Sequence, residues 1–140
     1  MTNLDFVQSD WNWGKDYPMS QLVKAGDYLW LSGQIAFDHE GKIVGPDDLL
    51  AQARQVFTNM KHVLGRVGCE LTDVVRLTNY FATPMDYEMT KSYWTVRREF
   101  FGDHRPASTG VQVAALMTPD LMLEVDAIVY APHARVPSGD

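Results

Sequence analysis

A chain of 140 residues with 46% hydrophobic content is the size of one ordinary domain and carries enough apolar side chains for a sizeable core. Its formal charge of −6 and pI near 5.0 run against a phosphate-backbone partner, which is gripped by clustered Lys and Arg, so nucleic acid is not an expected partner. The single cysteine, Cys69, has no internal disulfide partner, the N-terminal residues lack a basic start followed by an apolar run, and no apolar stretch approaches the roughly 20 residues that cross a bilayer; a cytoplasmic protein with no membrane role is expected.

Residues 1–18 mix Asp10, Trp11, Trp13 and Pro18 without periodicity and read as an irregular lead-in whose aromatics pack on the body of the domain. From Gln21 to Ile35 two apolar runs flank Ala25-Gly26-Asp27, which is hairpin chemistry. Alternation along the second run predicts Leu29, Leu31 and Ile35 on one face and Tyr28, Trp30, Ser32 and Gln34 on the other. After a loop carrying Gly41, Gly45 and Pro46, the residues Leu49, Leu50, Ala53, Val56, Phe57, Met60, Val63, Leu64 and Val67 recur at three- and four-residue spacing. That spacing predicts an amphipathic helix of about five turns. It opens at Pro46-Asp47-Asp48, with acids at the positive end of the helix dipole, and stops at Gly68.

Val74 to Ala82 alternates as a strand, with Val75, Leu77 and Phe81 on one face and Val74, Arg76, Thr78 and Tyr80 on the other. A second helix follows Pro84, with the stripe Met89, Tyr93, Val96 and Phe100, and ends near Gly102. Two further strands, Ala107 to Leu116 and Leu121 to Tyr130, are separated by the turn Met117-Thr118-Pro119-Asp120. Residues 133–140 read as a disordered tail, which leaves residues 1–132 as a single domain.

The predicted class is α+β, in the order β-β-α-β-α-β-β, with two helices covering one face of a mixed sheet. The other face then carries Tyr28, Trp30, Ser32, Gln34, Arg76, Thr78, Tyr80, Glu124, Asp126 and Ile128. An aromatic patch of that size marks an association or ligand surface, and we expect it to be buried between subunits.

Metal binding is not expected, because His39, His62, His104 and His133 form no His-x-x-x-His pair and have no Cys-x-x-Cys companion. Nucleotide loops and the Gly-x-Ser-x-Gly elbow of hydrolases are missing as well. Cys69 follows the Gly68 helix stop beside Glu70, whose charge disfavours a thiolate. Glu124 and Asp126 are the strongest chemical signal: a strand places both carboxylates on one face, roughly 7 Å apart along the chain. On a wet face they are solvated acids, or one pairs with Arg76. Sequestered at an interface, a carboxylate there can hold a water and act as a general base.

Four segments together resemble the Rid (reactive intermediate deaminase) or YjgF family: Ser32-Gly33-Gln34-Ile35; Ala51 through Lys61; Leu71 through Tyr80; and Leu123 through Ile128. Their order and spacing extend the resemblance from Pro18 to Pro132. It implies an α+β subunit in a chorismate-mutase-like homotrimer, closed through the open sheet face, with ligand clefts between neighbours. Members of the family hydrolyse small imines and enamines to keto acids and ammonia without metal or organic cofactor. In them an arginine in a Pro-Ala-Arg-Ser motif clamps the substrate carboxylate and a glutamate on the last strand orients water. Glu124 matches that glutamate.

The chain departs from the family at three places. Pro106-Ala107-Ser108-Thr109 puts Ser108 where the arginine belongs, Met19 stands for the tyrosine after the first proline, and Trp94 stands for the helix asparagine. The bidentate fork is lost at Ser108, and Arg105, at an odd offset in an extended segment, points to the opposite face. The expected function is a cofactor-independent, deaminase-like hydrolase acting on a small imine, enamine or related unsaturated metabolite. Glu124 is its expected catalytic residue, with Met19, Ser32, Gly33, Trp94, Arg105, Ser108, Thr109 and Gly110 as substrate-binding candidates. Weak activity on classical 2-imino acids is expected. The alternative is a non-catalytic metabolite-binding or regulatory trimer; a nuclease runs against the acidic charge.

Overall fold

The two long apolar stripes form helices where their spacing places them. The computed structural model describes residues 4–137. In it α1 spans Leu49–Gly65, opened by Asp48, whose carboxylate accepts from Ala51 N at 3.1 Å. Helix α2 spans Tyr87–Phe101, opened in the same way by Asp86 on Met89 N at 2.8 Å. Such side-chain caps satisfy amides that the first turn leaves without a partner. Phe57 of α1 packs among Tyr93, Phe100 and Phe101 of α2, with ring centroids 5.5–6.0 Å apart. Of the expected α2 stripe, Tyr93 and Val96 are buried, Met89 is exposed, and Phe101 takes the innermost place instead of Phe100.

Six strands form one mixed sheet: β1 (Leu4–Val7), β2 (Leu22–Ala25), β3 (Tyr28–Ile35), β4 (Val74–Phe81), β5 (Ala107–Gln112) and β6 (Leu123–Tyr130), in the order β1-β2-β3-β6-β4-β5. Neighbours are antiparallel except β4 and β5. Because β3 and β4 both run against β6, they are parallel to each other, and α1 is their crossover just as α2 is the crossover from β4 to β5. Both crossovers advance in the same direction across the sheet, so their common right-handedness puts both helices on one face. Between helices and sheet lies the core, where Val56, Phe57, Met60, Val63 and Leu64 meet Leu29, Leu31, Leu77, Val125 and Val129.

Strand β1 falls inside the stretch expected to be irregular. Its four residues are too few to display a period, and its conformation comes from pairing with β2, in the register Leu4↔Ala25 to Val7↔Leu22. Two bulges also change the expected faces. In β3 the register passes from Leu31↔Ala127 to Gln34↔Val125, three steps against two. The extra residue reverses the alternation, so Gln34 turns to the buried side and Ile35 to the open face opposite Glu124. In β4 the shift between Val74 and Arg76 buries Val74 and exposes Val75, the reverse of plain alternation. Residues 133–137, expected as the start of a disordered tail, fold back: Arg135 N donates to Val67 O at 3.0 Å, and Ala134 and Val136 pack on the core. Residues 138–140 lie outside the described residues.

Two buried amides set the frame around β6. Gln52 donates to Gly45 O (2.9 Å) and Asp120 O (2.8 Å) and accepts from Met122 N (2.8 Å), which holds the approach to β6. Asn59 donates to Ile35 O (3.0 Å) and Phe37 O (2.8 Å), which holds the end of β3. On the open face the pairing aligns Phe6, Val23, Trp30, Ile128 and Arg76 in one row across five strands. Phe6 is 60% and Trp30 52% exposed, and Tyr28 and Tyr130 meet edge to face beside them. Among the described residues no helix is long and apolar enough to cross a membrane.

Candidate functional site

Alternation in β6 buries Leu123, Val125 and Ala127 and leaves Glu124 and Asp126 on the opposite side. Glu124 sits opposite Ile35 of β3 and Tyr80 of β4. The β3 bulge carries the neighbouring wall. There Ser32 N donates to Gln21 O at 3.0 Å and Ser32 Oγ to Ser20 O at 2.6 Å, tying the lead-in to the sheet. Gly33 lies against the Glu124 side chain so closely that a Cβ there would stand 2.7 Å from Glu124 Cδ.

A cavity of about 380 Å³ opens over these groups, lined by Trp11, Trp13, Met19, Ser32, Gly33 and Glu124 among others. Its aromatic wall is the lead-in: Trp11 and Trp13 stack at 5.4 Å, Trp11 also stacks on His62, and Trp13 Nε1 donates to Asp38 O at 3.1 Å. Burial, and then the Asp126 charge, pushes the Glu124 carboxyl above its ordinary value. Both causes disfavour the charged form, the direction that suits a general base operating near neutrality. Asp126 accepts from Tyr80 Oη at 3.2 Å and holds that phenol above its ordinary value. The pairing of an acid with Arg76 does not form: Arg76 Nη2 donates to Thr109 Oγ1 at 2.7 Å.

Trp94, Arg105, Ser108, Thr109 and Gly110 lie apart from the Glu124 cavity. Trp94, Ser108 and Gly110 line a cleft of about 400 Å³ between α2 and the β4–β5 edge, together with Asn79 and Arg97. Ser108 Oγ accepts from Asn79 Nδ2 at 3.0 Å and from Arg97 Nη2 at 2.9 Å. Thr109 is bonded to Arg76, and Arg105 lines a neighbouring depression with Arg98 and His104. Asn79 and Arg97 were not singled out in the sequence. The only trace of Arg97 is its position one helical turn after Tyr93, on the side of α2 that meets the sheet.

The fold also gathers Cys69, Asp73 and His133, whose potential ligand atoms lie within 4.8 Å of one another, a grouping that linear spacing could not reveal. Asp73 accepts from Glu70 N at 2.8 Å, and burial together with the Asp73 charge pushes the Cys69 thiol up to about 11. The thiol is therefore protonated at neutral pH, and the three side chains are explained by local capping and packing. Of the other histidines, His62 bonds Asp10 at 2.8 Å and His104 bonds Val74 O at 2.6 Å.

Two helices on one face of a mixed six-stranded sheet define an α+β class, and comparison places the chain within one family of it. Residues 15–131 match the family described as Endoribonuclease L-PSP. The chain belongs to this family, also known as the Rid or YjgF family. A RutC family protein of Pyrococcus horikoshii is 34% identical over 113 residues, 81% of this chain and 86% of its own. A 2-iminobutanoate/2-iminopropanoate deaminase of Dermatophagoides farinae is 32% identical over 112 residues, 80% and 84% of the respective chains. The crystal structure of RidA from an Antarctic Psychrobacter superposes with a TM-score of 0.78 at 31% identity, covering 90% of this chain and 98% of that one.

Proposed function

We propose that the chain is a cofactor-independent deaminase of small imines and enamines, working in the cytoplasm as a homotrimer, with Glu124 as its general base. The observation that carries the reading is the Glu124 carboxylate itself, held at the floor of an aromatic-walled cavity beside Gly33 with its proton affinity raised. The names of relatives supply the substrate class, since one of them is a 2-iminobutanoate/2-iminopropanoate deaminase.

The chemistry needs few groups. An enamine first gains a proton at carbon and releases one from nitrogen, which makes it the imine. Glu124 takes a proton from a water whose oxygen bonds to the imine carbon, the C=N bond becomes a C–N single bond, and the nitrogen takes up a proton. The carbinolamine then expels ammonia as the carbonyl forms, so that imine and water become keto acid and ammonia. A water taken into the cavity beside Gly33 would meet the carboxylate, and the tryptophan wall would lower the local dielectric there.

The open face supports an assembly of this kind. Phe6, Trp30, Tyr28 and Tyr130 form an exposed aromatic patch, and every residue of edge strand β5 is exposed. A neighbour covering both would remove an exposed edge and an aromatic patch together. It would also let the Ser108 cleft of one subunit face the Glu124 cavity of the next. The test combines sedimentation with turnover. A species of three chains is expected, and Glu124→Gln, with assembly intact, should lower kcat by ~10²–10⁴-fold. A 15.8 kDa monomer at micromolar concentration would refute the assembly. Full activity of the Gln variant would refute the base, and a tightly held metabolite with no turnover on any imine would show a binding protein instead.

A further inference from the structure

The cleft beside α2 holds a cation whose counter-charge is not supplied by the protein. Arg97 Nη2 donates to two neutral acceptors, Ser108 Oγ at 2.9 Å and Asn79 Oδ1 at 3.2 Å. The guanidinium carbon lies 5.5 Å from the centroid of the Tyr93 ring, which steadies it from behind. Its Nε is buried and has no hydrogen-bond partner. Among the described residues no carboxylate lies within 4.0 Å of Arg97, and the acid two residues away on α2, Glu99, is taken by Arg54 in a bidentate pair at 3.0 and 3.1 Å.

Buried donors are rarely left without an acceptor, and a guanidinium offers five N–H groups in a planar fork that fits a carboxylate. The surroundings strengthen the case. Although the chain carries a net charge of −6, Arg97, Arg98 and Arg105 gather with His104 around one depression that adjoins the cleft, with Asp103 the acid on its rim. Arg97 lines both hollows. Trp94 supplies an apolar surface next to the charge, and Gly110 a stretch of backbone without a side chain.

We propose that Arg97 anchors the carboxylate of the substrate, a small 2-imino or 2-oxo acid, and does so from helix α2 through the hydroxyl of Ser108. Ser108 and Asn79 hold the guanidinium in place, so they are positioning residues. This assignment rests on the small-acid reading above and is independent of which group serves as base. It also changes the expected outcome for classical 2-imino acids: the fork absent at position 108 is supplied eleven residues earlier, and activity on them is restored.

The test uses 2-oxobutanoate and its uncharged amide, 2-oxobutanamide, as probes of the assembled protein by calorimetry. Wild type should bind the acid about tenfold or more tighter than the amide. Arg97→Gln should erase that preference, Arg97→Lys should retain part of it because the charge stays and the fork goes, and Arg105→Gln should leave it intact. Glu124→Gln should keep the preference for acid over amide even where absolute affinity changes, so a failed base and a failed anchor are read separately. Equal binding of acid and amide by wild type, no binding of the acid, or loss of the preference on Arg105→Gln alone would each overturn the assignment. The wild-type comparison stands even if Arg97→Gln does not fold.

Discussion

Replacing Gly33 by alanine tests whether the bulge exists to make room for Glu124. The new Cβ would lie 2.7 Å from Glu124 Cδ and 2.9 Å from Cγ, about 1 Å inside the roughly 3.5–4.0 Å at which carbon atoms rest in contact. Gly33 has no positive φ, so alanine adds no backbone strain, and the collision is with the flexible end of a side chain. The carboxylate is therefore expected to move by about 1 Å while the fold survives. A misplacement of that size costs catalysis on the order of 10²-fold. Steady-state turnover on the imine of 2-oxobutanoate, generated in situ, should show kcat reduced by about that factor, with sedimentation and melting close to wild type. The double variant Gly33→Ala/Glu124→Gln should be no slower than Glu124→Gln alone, because both changes act on one group. Full kcat in Gly33→Ala, or additive losses in the double variant, would refute the reasoning.

Two further outcomes follow from the polar groups of the frame and the site. Gln52→Ala strips partners from Gly45 O, Asp120 O and Met122 N and should lower unfolding free energy by about 2–4 kcal/mol, seen as a lower denaturant midpoint at unchanged slope; a loss under about 1 kcal/mol would show that water replaces the amide at no penalty. The raised proton affinity of Glu124 has a sign that melting curves can read. The fold favours its neutral form, so the stability this lends is complete below the ordinary value of 4.5 and is lost as pH rises through the higher folded value. Glu124→Gln, neutral throughout, should melt above wild type at about pH 8, and the gap should close toward about pH 4; a variant that melts lower than wild type at the alkaline end contradicts the burial of charge at this position.

The family and fold class were readable in the sequence because they rest on local, periodic signals. Helix α1 repeats its apolar residues over seventeen positions, enough turns for the period to be unmistakable, and β6 alternates cleanly from Leu123 to Val129, so the side on which Glu124 emerges could be read directly. Two of the four matched segments, Ala51 to Lys61 and Leu123 to Ile128, lie on these same elements, and the other two lie on β3 and on the approach to β4 and that strand itself. Strand β1 was not readable, since four residues carry too little pattern and its pairing with β2 is a contact between segments distant in sequence. Nor were the bulges at Ser32–Gly33 and at Val75: one extra residue reverses every later side chain, and the mark in β3 is the one glycine, Gly33, which fits a plain strand as well as a bulge. The tertiary structure alone decided that Gln34 turns inward, that Ile35 faces Glu124, and that Gly33 leaves room for the carboxylate. It also decided which cation reaches Ser108. Linear proximity offered Arg105, three residues away, but its odd offset turns it to the opposite face, whereas the crossover from β4 to β5 lays α2 beside the edge strand and brings Arg97 to 2.9 Å from the serine hydroxyl, because in a parallel β-α-β unit the helix and the strand it leads into pack side by side whatever their separation along the chain.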